Sequence, residues 1–332
     1  MSMSLFDFLS SHSVDRERVE EHKTRMLREI AEHESSASTQ DESRLSSAVV
    51  LLLAAEKKSL KERRAMGHGE FGLDPYVGFV GDVHGDTRSL VATLNRFRSL
   101  GVSFVFQLGD FGFFPFLKGF LSGVSSTLER NEQTLLVTLG NHEDYDMLSE
   151  RLRHARDGWM CLPEYPRILV APRVHFFTWA GRSFLSVGGA NSIDFQYRNE
   201  GFSWFSEERI SDDDIHCAKV HDAEIMLTHE CPSGVPIFLG NEDVGPSAQK
   251  IFGPYASEYA AQSRHAMREI VDAVKPRLLL HGHYHFYADH ITELRDSEGA
   301  PYRLSSVGLA EAVRTNSAID MDLRTLRWTF VQ

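Results

Sequence analysis

Seven side chains of the kind that bind metal ions follow five short apolar runs in this chain of 332 residues. Two are aspartates, four are histidines and one is an asparagine: Asp82, His84, Asp110, Asn141, His229, His283 and His285. Glycines adjoin most of them, and glycine lets the backbone turn sharply and approach a bound ion. If the runs are strands of a sheet, their carboxyl ends border a crevice of the kind in which α/β proteins bind ligands. We therefore expect five loops to converge on a single site.

The composition of this set favours two divalent ions over one. Two carboxylates, four imidazoles and an amide are too many ligands for a single ion. Two carboxylates and a bridging hydroxide would leave about one positive charge on a pair of divalent ions, which suits an anionic phosphate. Mixed imidazole and oxygen ligands favour Mn, Fe, Zn or Co over Ca or Mg, and we expect Mn. Such a pair activates water for in-line displacement at phosphorus.

The order of these motifs resembles that of the calcineurin-like metallophosphoesterase superfamily. The shared blocks are Asp-x-His at Asp82, Gly-Asp at Asp110, Gly-Asn-His-Glu from Gly140, one histidine at His229 and Gly-His-x-His from Gly282. Each block alone is a weak signal, but five in order, each closing a predicted strand, form a specific signature. The resemblance extends over the chain after residue 73, with the identical residues confined to the blocks.

Carried over position by position, the resemblance implies two metal sites that share one carboxylate. The first ion would be held by Asp82, His84, Asp110 and His285. Asp110 would bridge to the second ion, whose other ligands would be Asn141, His229 and His283. The implied reaction is in-line attack of a metal-bridging hydroxide on a phosphate ester.

Two residues of the Gly-Asn-His-Glu block are expected to have other tasks. The resemblance implies that His142 is catalytic and faces the substrate. It would stabilise the phosphorane oxygens or protonate the leaving oxygen, since imidazole titrates near neutral pH. Glu143 would orient His142 or cap the helix beginning at Asp144, and we favour the cap. Four histidines outside the blocks are interpreted as structural: His154, His175, His281 and His290.

The sequence around the blocks narrows the substrate class. Protein phosphatases and diadenosine tetraphosphatases of the superfamily have a phosphate-gripping arginine after the Gly-Asp block, whereas this chain continues Phe-Gly-Phe-Phe from Phe111. Segment 227–234 is more similar to phosphodiesterase members. The glycine-rich turn at 188–194, followed by Arg198, looks like a subgroup common in bacteria and phages, with weaker similarity to the lariat debranching branch. These features favour a phosphodiester.

Arg198 is the candidate substrate-binding residue. It would supply the missing phosphate contact or form a structural ion pair with Asp194, and the sequence leaves both open. The phenylalanines between Phe111 and Phe120 would stack on bases or pack in the core, and we favour the core.

The leading hypothesis is a binuclear-metal-dependent phosphodiesterase acting on nucleotides, cyclic nucleotides or short nucleic acids. The alternative within the same class is a phosphomonoesterase acting on a small metabolite. A rival of another class is a non-catalytic scaffold with this fold, which the complete set of ligand types disfavours.

Alternating strand and helix patterns supply the frame for these loops. Apolar runs predict strands at 77–80, 104–108, 135–139, 224–227 and 278–280. Helical periodicity predicts helices at 87–100, 144–155, 211–220 and 257–274, while 174–187 and 302–330 are strand-rich. The expected fold class is α/β, a layered αββα sandwich of two mixed sheets flanked by helices.

Residues 1–72 differ from the rest of the chain. Charged sequence with helical spacing at 14–34 and 43–66 predicts a helical hairpin, and 67–72 reads as a glycine-rich linker. The chain thus divides into an N-terminal helical extension, 1–72, and a metallophosphoesterase domain, 73–332. The hairpin is expected to pack on the main domain or on a second copy, which would make a homo-oligomer, since short helices rarely stand alone. A partner tether is the alternative.

Composition excludes several classes of protein. With 35 basic and 47 acidic residues, the formal net charge is −12, which argues against extensive binding to duplex DNA. The three cysteines form no Cys-x-x-Cys pair, as expected in a reduced compartment. The longest apolar run, 48–55, is too short to cross a bilayer, and the N-terminus lacks a secretory signal pattern. We expect a soluble, cytoplasmic protein with no membrane partner.

Overall fold

Two mixed β-sheets, a two-stranded ribbon and five α-helices form the part of the chain that the computed structural model describes, residues 69–114, 118–239 and 242–331. The strands in chain order are β1 (Tyr76–Val80), β2 (Phe104–Leu108), β3 (Thr134–Thr138), β4 (Arg153–His154), β5 (Met160–Cys161), β6 (Ile168–Val170), β7 (Val174–Trp179), β8 (Arg182–Val187), β9 (Ile225–Thr228), β10 (Phe238–Leu239), β11 (Glu242–Asp243), β12 (Leu278–His281), β13 (Ala288–Arg295), β14 (Pro301–Gly308), β15 (Ala318–Asp322) and β16 (Arg327–Phe330). The helices are α1 (Thr87–Ser99), α2 (Lys118–Asn131), α3 (Tyr145–Arg151), α4 (Asp212–Lys219) and α5 (Val244–Val274).

Both sheets have a parallel centre and antiparallel edges. The larger sheet has the order β16-β15-β1-β2-β3-β6-β5-β4. Its strands β1, β2, β3 and β6 are parallel, and β15 joins β1 antiparallel. The smaller sheet has the order β13-β14-β12-β9-β8-β7, in which β14, β12, β9 and β8 are parallel. The prediction of two mixed sheets is confirmed.

Three apolar layers hold the sheets and helices together. In the middle layer, Phe79 and Phe106 of the larger sheet pack with Phe177 and Phe184 of the smaller one. The rings of Phe106 and Phe184 stack with their centroids 6.0 Å apart. A second layer packs α1 and α2 on the larger sheet, and a third packs α4 and α5 on the smaller. The predicted αββα sandwich is therefore confirmed.

The central strands lie within one residue of their predicted ends. Every residue of β1, β2, β3, β9 and β12 is buried. Strands covered on both faces read as continuous apolar runs rather than alternating ones, which is why the sequence locates them well. The strand-rich character predicted for 174–187 and 302–330 is also confirmed, since these segments contain β7, β8, β14, β15 and β16.

Helices α1 and α4, both capped at their N-termini, also match the prediction. Asp86 caps α1 by accepting a hydrogen bond from the Ser89 backbone. Ser211 and Asp214 form a reciprocal capping box at the start of α4, which satisfies two backbone groups that the helix leaves free.

The other three helices differ from the sequence expectation. Helix α2 is not predicted, because Gly119, Gly123 and three serines weaken its helical pattern. Helix α3 ends at Arg151 rather than 155, because Leu152 is extended and Arg153 and His154 pair with β5. Segment α5 begins at Val244, but Gly253, with φ 85° and ψ 169°, is not helical and divides it into two helices. The second contains the predicted 257–274 and ends at Val274, and the short first helix is not predicted.

The hairpin expected in residues 1–72 lies outside the described residues, which begin at residue 69. Phe71, at the end of the predicted linker, packs against Phe104 and Trp179 with ring centroids 5.8 and 4.9 Å away. Among the described helices, none has the length and apolar character needed to span a membrane.

Candidate metal centre

The carboxyl ends of five parallel strands bring the seven predicted ligands together. The loops after β1, β2, β3, β9 and β12 carry them: Asp82 and His84, Asp110, Asn141, His229, and His283 and His285. They form two groups that share Asp110. We call the first the outer cluster: Asp82, His84, Asp110 and His285. We call the second the inner cluster: Asp110, Asn141, His229 and His283.

The atoms that would bind metal point toward one another in each cluster. In the outer cluster, His285 Nε2 lies 3.0 Å from His84 Nε2 and 3.2 Å from Asp82 Oδ2. In the inner cluster, His229 Nε2 lies 2.9 Å from Asn141 Oδ1 and 3.3 Å from Asp110 Oδ2. Asp110 Oδ2 is also 3.7 Å from His84 Nε2, so this one oxygen faces both clusters.

The hydrogen bonding of these atoms fits a pair of cations. Asp110 Oδ2 is buried and has no hydrogen-bond partner. His229 Nδ1 lies 2.7 Å from the Leu108 carbonyl oxygen, so Nδ1 carries a proton, and in the neutral ring that would bind a metal Nε2 is an acceptor. That acceptor faces the Asn141 oxygen, which is another acceptor. Facing acceptors and an unpartnered carboxylate oxygen are what a metal ion would satisfy.

Four of the ligands have left-handed backbone conformations. The φ angles are 49° at His84, 53° at Asp110, 73° at His283 and 60° at His285. Residues with a Cβ rarely adopt such angles, because each costs of order 1 kcal/mol or more. Strain of this kind accumulates at functional sites, where the surrounding structure enforces it.

Glycines in the motifs make room for neighbouring ligands. A Cβ at Gly140 would collide with the Asp110 backbone and carboxylate, and one at Gly282 would collide with the Asp82 carboxylate. Side-chain-free positions therefore let the ligand loops approach each other. These glycines thus serve the approach of the ligands to each other as well as the approach to an ion that the motifs predict.

The buried carboxylates create a strong negative field in the centre. Burial raises the pKa values of Asp82 and Asp110, but nearby histidines outweigh it, above all His285 for Asp82 and His229 for Asp110, and hold both below their usual range. Burial lowers the pKa of His229, but Asp110 and Asp82 overcome this effect and raise it to about 10. Without an ion, His229 therefore carries a proton on Nε2, at the place where a cation would bind, and the field that stabilises this charge also favours the cation.

His142 lies beside both clusters without belonging to either. Its Nε2 is 3.9 Å from Asp110 Oδ2, and its backbone N–H donates to Asp110 Oδ1 at 2.7 Å. Burial lowers the pKa of His142 to about 4. The negative charge of Asp110 acts to raise this pKa, but the positive charge of Arg198 partly offsets that effect. His142 is thus a neutral imidazole at pH 7.

Arg198 joins His142 to an acidic residue. Its Nη2 lies 3.3 Å from His142 Nε2, and because a guanidinium only donates, Nε2 accepts this hydrogen bond. Arg198 also grips Asp194 at two points, with Nε–Oδ1 at 2.8 Å and Nη2–Oδ2 at 2.7 Å. The ion pair that the sequence left open is therefore present, and it lies beside the candidate catalytic histidine.

The sequence between residues 75 and 287 matches the family model of the calcineurin-like phosphoesterases. The chain belongs to this family. The match contains all five motif blocks and therefore confirms the resemblance. The chain is accordingly a metal-dependent phosphoric ester hydrolase. Calcineurin-like phosphoesterases are dimetal enzymes, and the outer and inner clusters supply residues that could hold the two ions. When bound, such ions activate water and neutralise charge on the phosphate.

Solved structures similar to this phosphoesterase are distant in sequence, and no curated protein sequence matches the chain. The protein TT1561 of Thermus thermophilus is 15% identical with a TM-score of 0.45, over 77% of this chain and 99% of that protein. A dimetal phosphatase from Danio rerio is also 15% identical with a TM-score of 0.45, over 75% of this chain and 92% of that protein. Purple acid phosphatase PPD1 from yellow lupin seeds is 12% identical with a TM-score of 0.36, over 70% of this chain and 43% of that protein.

The role expected for Glu143 in the phosphoesterase is wrong. The N-cap of α3 is Asp144, which accepts from the Met147 backbone at 2.8 Å. Glu143 is fully buried and accepts from the backbone N–H groups of Phe111 and Phe113 at 2.7 and 2.9 Å. It therefore fixes the loop after Asp110 rather than capping a helix or touching His142.

Two structural interpretations from the sequence are confirmed. Phe111, Phe113 and Phe120 are buried and pack against one another, with neighbouring ring centroids 4.8 and 4.9 Å apart. They form core, not a base-stacking wall. His175 and His281 are buried outside both clusters, His175 against Trp159.

Three buried residues that support the ligands are not predicted from the sequence: Ser192, Glu208 and Glu230. Glu230 accepts from Ser263 and Tyr284, and its Oε2 lies 3.9 Å from His283 Nε2. Ser192 and Glu208 connect to Asn141 through hydrogen bonds. The only sequence signals were the polar residue next to His229 and the serine and glutamate within the otherwise unexplained segment 188–208.

Proposed function

We propose that this phosphoesterase hydrolyses phosphodiesters, with nucleotides, cyclic nucleotides or short nucleic acids as substrates. The observation that carries the proposal is the Arg198–Asp194 ion pair beside His142. The carboxylate of Asp194 neutralises the positive charge of Arg198 at the point where Arg198 contacts His142. Arg198 can therefore offer a hydrogen bond to a phosphate oxygen without adding an uncompensated positive charge.

Charge balance then favours a phosphate with a single negative charge. Two divalent ions held by the carboxylates of Asp82 and Asp110 would leave about two positive charges, and a hydroxide nucleophile would cancel one of them. A phosphodiester carries one negative charge, whereas a monoester carries close to two at neutral pH. The diester balances the site, and the monoester exceeds it.

The accessibility of the outer cluster also supports a diester. The side chains of His84 and His285 are 28% and 32% exposed, and that of His142 is 18% exposed. A diester carries organic groups on two sides of phosphorus and needs such an opening for at least one of them.

In the proposed reaction the chain's side chains have separate tasks. The outer ion would be held by Asp82, His84, Asp110 and His285. The inner ion would be held by Asp110, Asn141, His229 and His283. We favour Mn, because the ligands mix imidazole nitrogen with oxygen. Once a phosphate oxygen takes the hydrogen bond that Arg198 gives to His142, the proton of the neutral imidazole can occupy Nε2 beside the clusters. From there it would donate to a phosphorane oxygen, while Arg198 contacts a second phosphate oxygen. The three cysteines are free thiols, in keeping with the cytoplasmic location that we also propose.

The test compares two chromogenic esters. The full-length protein, loaded with Mn²⁺, is assayed on bis(p-nitrophenyl) phosphate and p-nitrophenyl phosphate, with His142→Ala as the blank. We expect kcat/KM for the diester to exceed that for the monoester by about 10-fold or more. Preference for the monoester would overturn the proposal and indicate a phosphomonoesterase acting on a small metabolite.

The ion pair itself is tested by removing its negative charge. Asp194→Asn keeps the shape of the side chain but leaves Arg198 uncompensated, so the diester-to-monoester ratio should fall about 5-fold toward the monoester. Asp222→Asn, at an exposed aspartate, is the matched control and should leave the ratio unchanged. An unchanged ratio in Asp194→Asn would mean that the pair does not set the preference.

A further inference from the structure

A buried chain of hydrogen bonds connects Glu208 to the inner cluster. The Ser192 hydroxyl donates to Glu208 Oε2 at 2.5 Å, and Asn141 Nδ2 donates to Ser192 Oγ at 2.8 Å. Glu208, Ser192 and Asn141 are only 0%, 2% and 3% exposed. These contacts tie the segment around Ser192, whose purpose the motifs do not explain, to a candidate metal ligand.

Glu208 is held as an acceptor by donors on both of its oxygens. Its Oε1 accepts from the Ser192 backbone N–H at 2.7 Å and from the Tyr259 hydroxyl at 3.0 Å. Burial raises the pKa of Glu208, and the hydrogen bonds from Ser192 and Tyr259 offset only part of that rise. Tyr259 belongs to α5, so this helix anchors the Glu208 end of the hydrogen-bond chain.

The direction of each hydrogen bond follows from the donor inventory. A carboxylate only accepts, so the single hydroxyl proton of Ser192 is committed to Glu208. The remaining lone pairs of Ser192 can only accept, and the amide nitrogen of Asn141 is the group that can donate to them. The Asn141 oxygen must then point the other way, where it lies 2.9 Å from His229 Nε2.

We propose that Glu208 and Ser192 are positioning residues that orient the Asn141 amide with its oxygen, and not its nitrogen, toward the inner cluster. An amide oxygen binds a divalent cation, whereas an amide nitrogen has two protons and no free lone pair for the ion. Outer partners of this kind typically change metal affinity by about 10- to 100-fold. The inference rests on the proposed assignment of Asn141 as a ligand and is independent of whether the substrate is a diester.

The test measures Mn²⁺ binding to the metal-free, full-length protein by titration calorimetry. Ser192→Ala and Glu208→Gln should each weaken one of two binding events by about 10- to 100-fold, and Ser192→Thr, which keeps the hydroxyl, should restore it. Ser186→Ala is the matched control, because Ser186 is also a buried serine whose hydroxyl bonds to another side chain, Thr138, at 2.8 Å. Wild-type affinity in both Ser192→Ala and Glu208→Gln would overturn the proposal.

A double-mutant cycle separates positioning from mere packing. In Asn141→Asp both terminal atoms are oxygens, so orientation no longer matters and Ser192→Ala should cause no further loss of affinity in that background. If Ser192 were only structural, its removal would weaken binding equally in both backgrounds and the proposal would fail. Because the readout is binding and not ester turnover, its outcome is separate from that of the diester test.

Discussion

The outer and inner clusters use similar ligands in different surroundings. The histidine side chains of the outer cluster, His84 and His285, are 28% and 32% exposed. Those of the inner cluster, His229 and His283, are 0% and 14% exposed. Solvent therefore reaches one half of the centre and is largely excluded from the other.

The hydrogen bonds that hold the ligands in place also differ between the two clusters. Buried acceptors hold the inner cluster: the Leu108 carbonyl at His229, Ser192 at Asn141, and Glu230 near His283. In the outer cluster His84 and His285 face solvent and each other. Fixed ligands lose less freedom when an ion binds, so the inner cluster should hold its ion more tightly and the outer cluster should exchange it faster.

The largest effect is expected at the residue that the two clusters share. Asp110→Asn removes the charge that faces both, so both ions should be lost and turnover should fall by at least about 1,000-fold. Metal content after dialysis and kcat/KM report the two losses, with Asp222→Asn as the exposed control. Retention of one ion at full affinity would contradict the shared role of Asp110.

A smaller and asymmetric effect should distinguish the clusters from each other. His285→Ala should lose the outer ion, and excess Mn²⁺ should restore it. His229→Ala should lose the inner ion, and excess Mn²⁺ should not restore it, so its activity should stay lower by about 100-fold. The measurement is activity as a function of Mn²⁺ concentration in both variants. Equal rescue of the two would show that burial and supporting hydrogen bonds do not separate the clusters.

The smallest effect is expected at a histidine outside both clusters. Changing it would separate unfolding at low pH from the release of metal at low pH. His175 is buried, its Nε2 has no hydrogen-bond partner, and burial lowers its pKa to about 4. In the unfolded chain His175 binds a proton below about pH 6.5, whereas in the folded chain it binds one only below about pH 4. The free energy of unfolding therefore falls as the pH drops from about 6.5 to about 4. His175→Phe should remove about 1–2 kcal/mol of that loss at pH 5.

Urea unfolding of the metal-free protein at pH 5 and pH 7 checks this prediction. His154→Phe, at an exposed histidine, serves as the control. If His175→Phe loses as much stability as the wild type between the two pH values, another group causes the acid sensitivity. If the loss is reduced, metal release from the clusters can be followed at pH 5 in a chain that stays folded.

What could be predicted from the sequence depended on whether the signal was local. The central strands and the ligands were predictable, because a buried strand is a continuous apolar run and each ligand follows it within a few residues. Helix α2 was not, since its glycines and serines hide a helix that tertiary packing stabilises. The cap assigned to Glu143 was wrong because a neighbouring aspartate competes for that place.

The supporting residues could not be predicted from spacing at all. Ser192 and Glu208 lie 51 and 67 positions beyond Asn141 in the chain, and only the fold brings them together. The direction of a hydrogen bond adds a further condition that no sequence pattern encodes. Arg198 was partly predictable. The sequence suggested either a phosphate contact or an ion pair with Asp194, and only the geometry shows that the ion pair forms beside His142.

The left-handed backbone at His84, Asp110, His283 and His285 has a consequence for the lifetime of the protein in a cell. Four such residues cost about 4 kcal/mol or more together, which is a large share of the 5–15 kcal/mol that typically separates folded from unfolded domains. Bound ions offset this cost by mass action. A newly made chain without its ions should open more often and meet proteases sooner. Metal supply would then set the abundance of the enzyme as well as its rate.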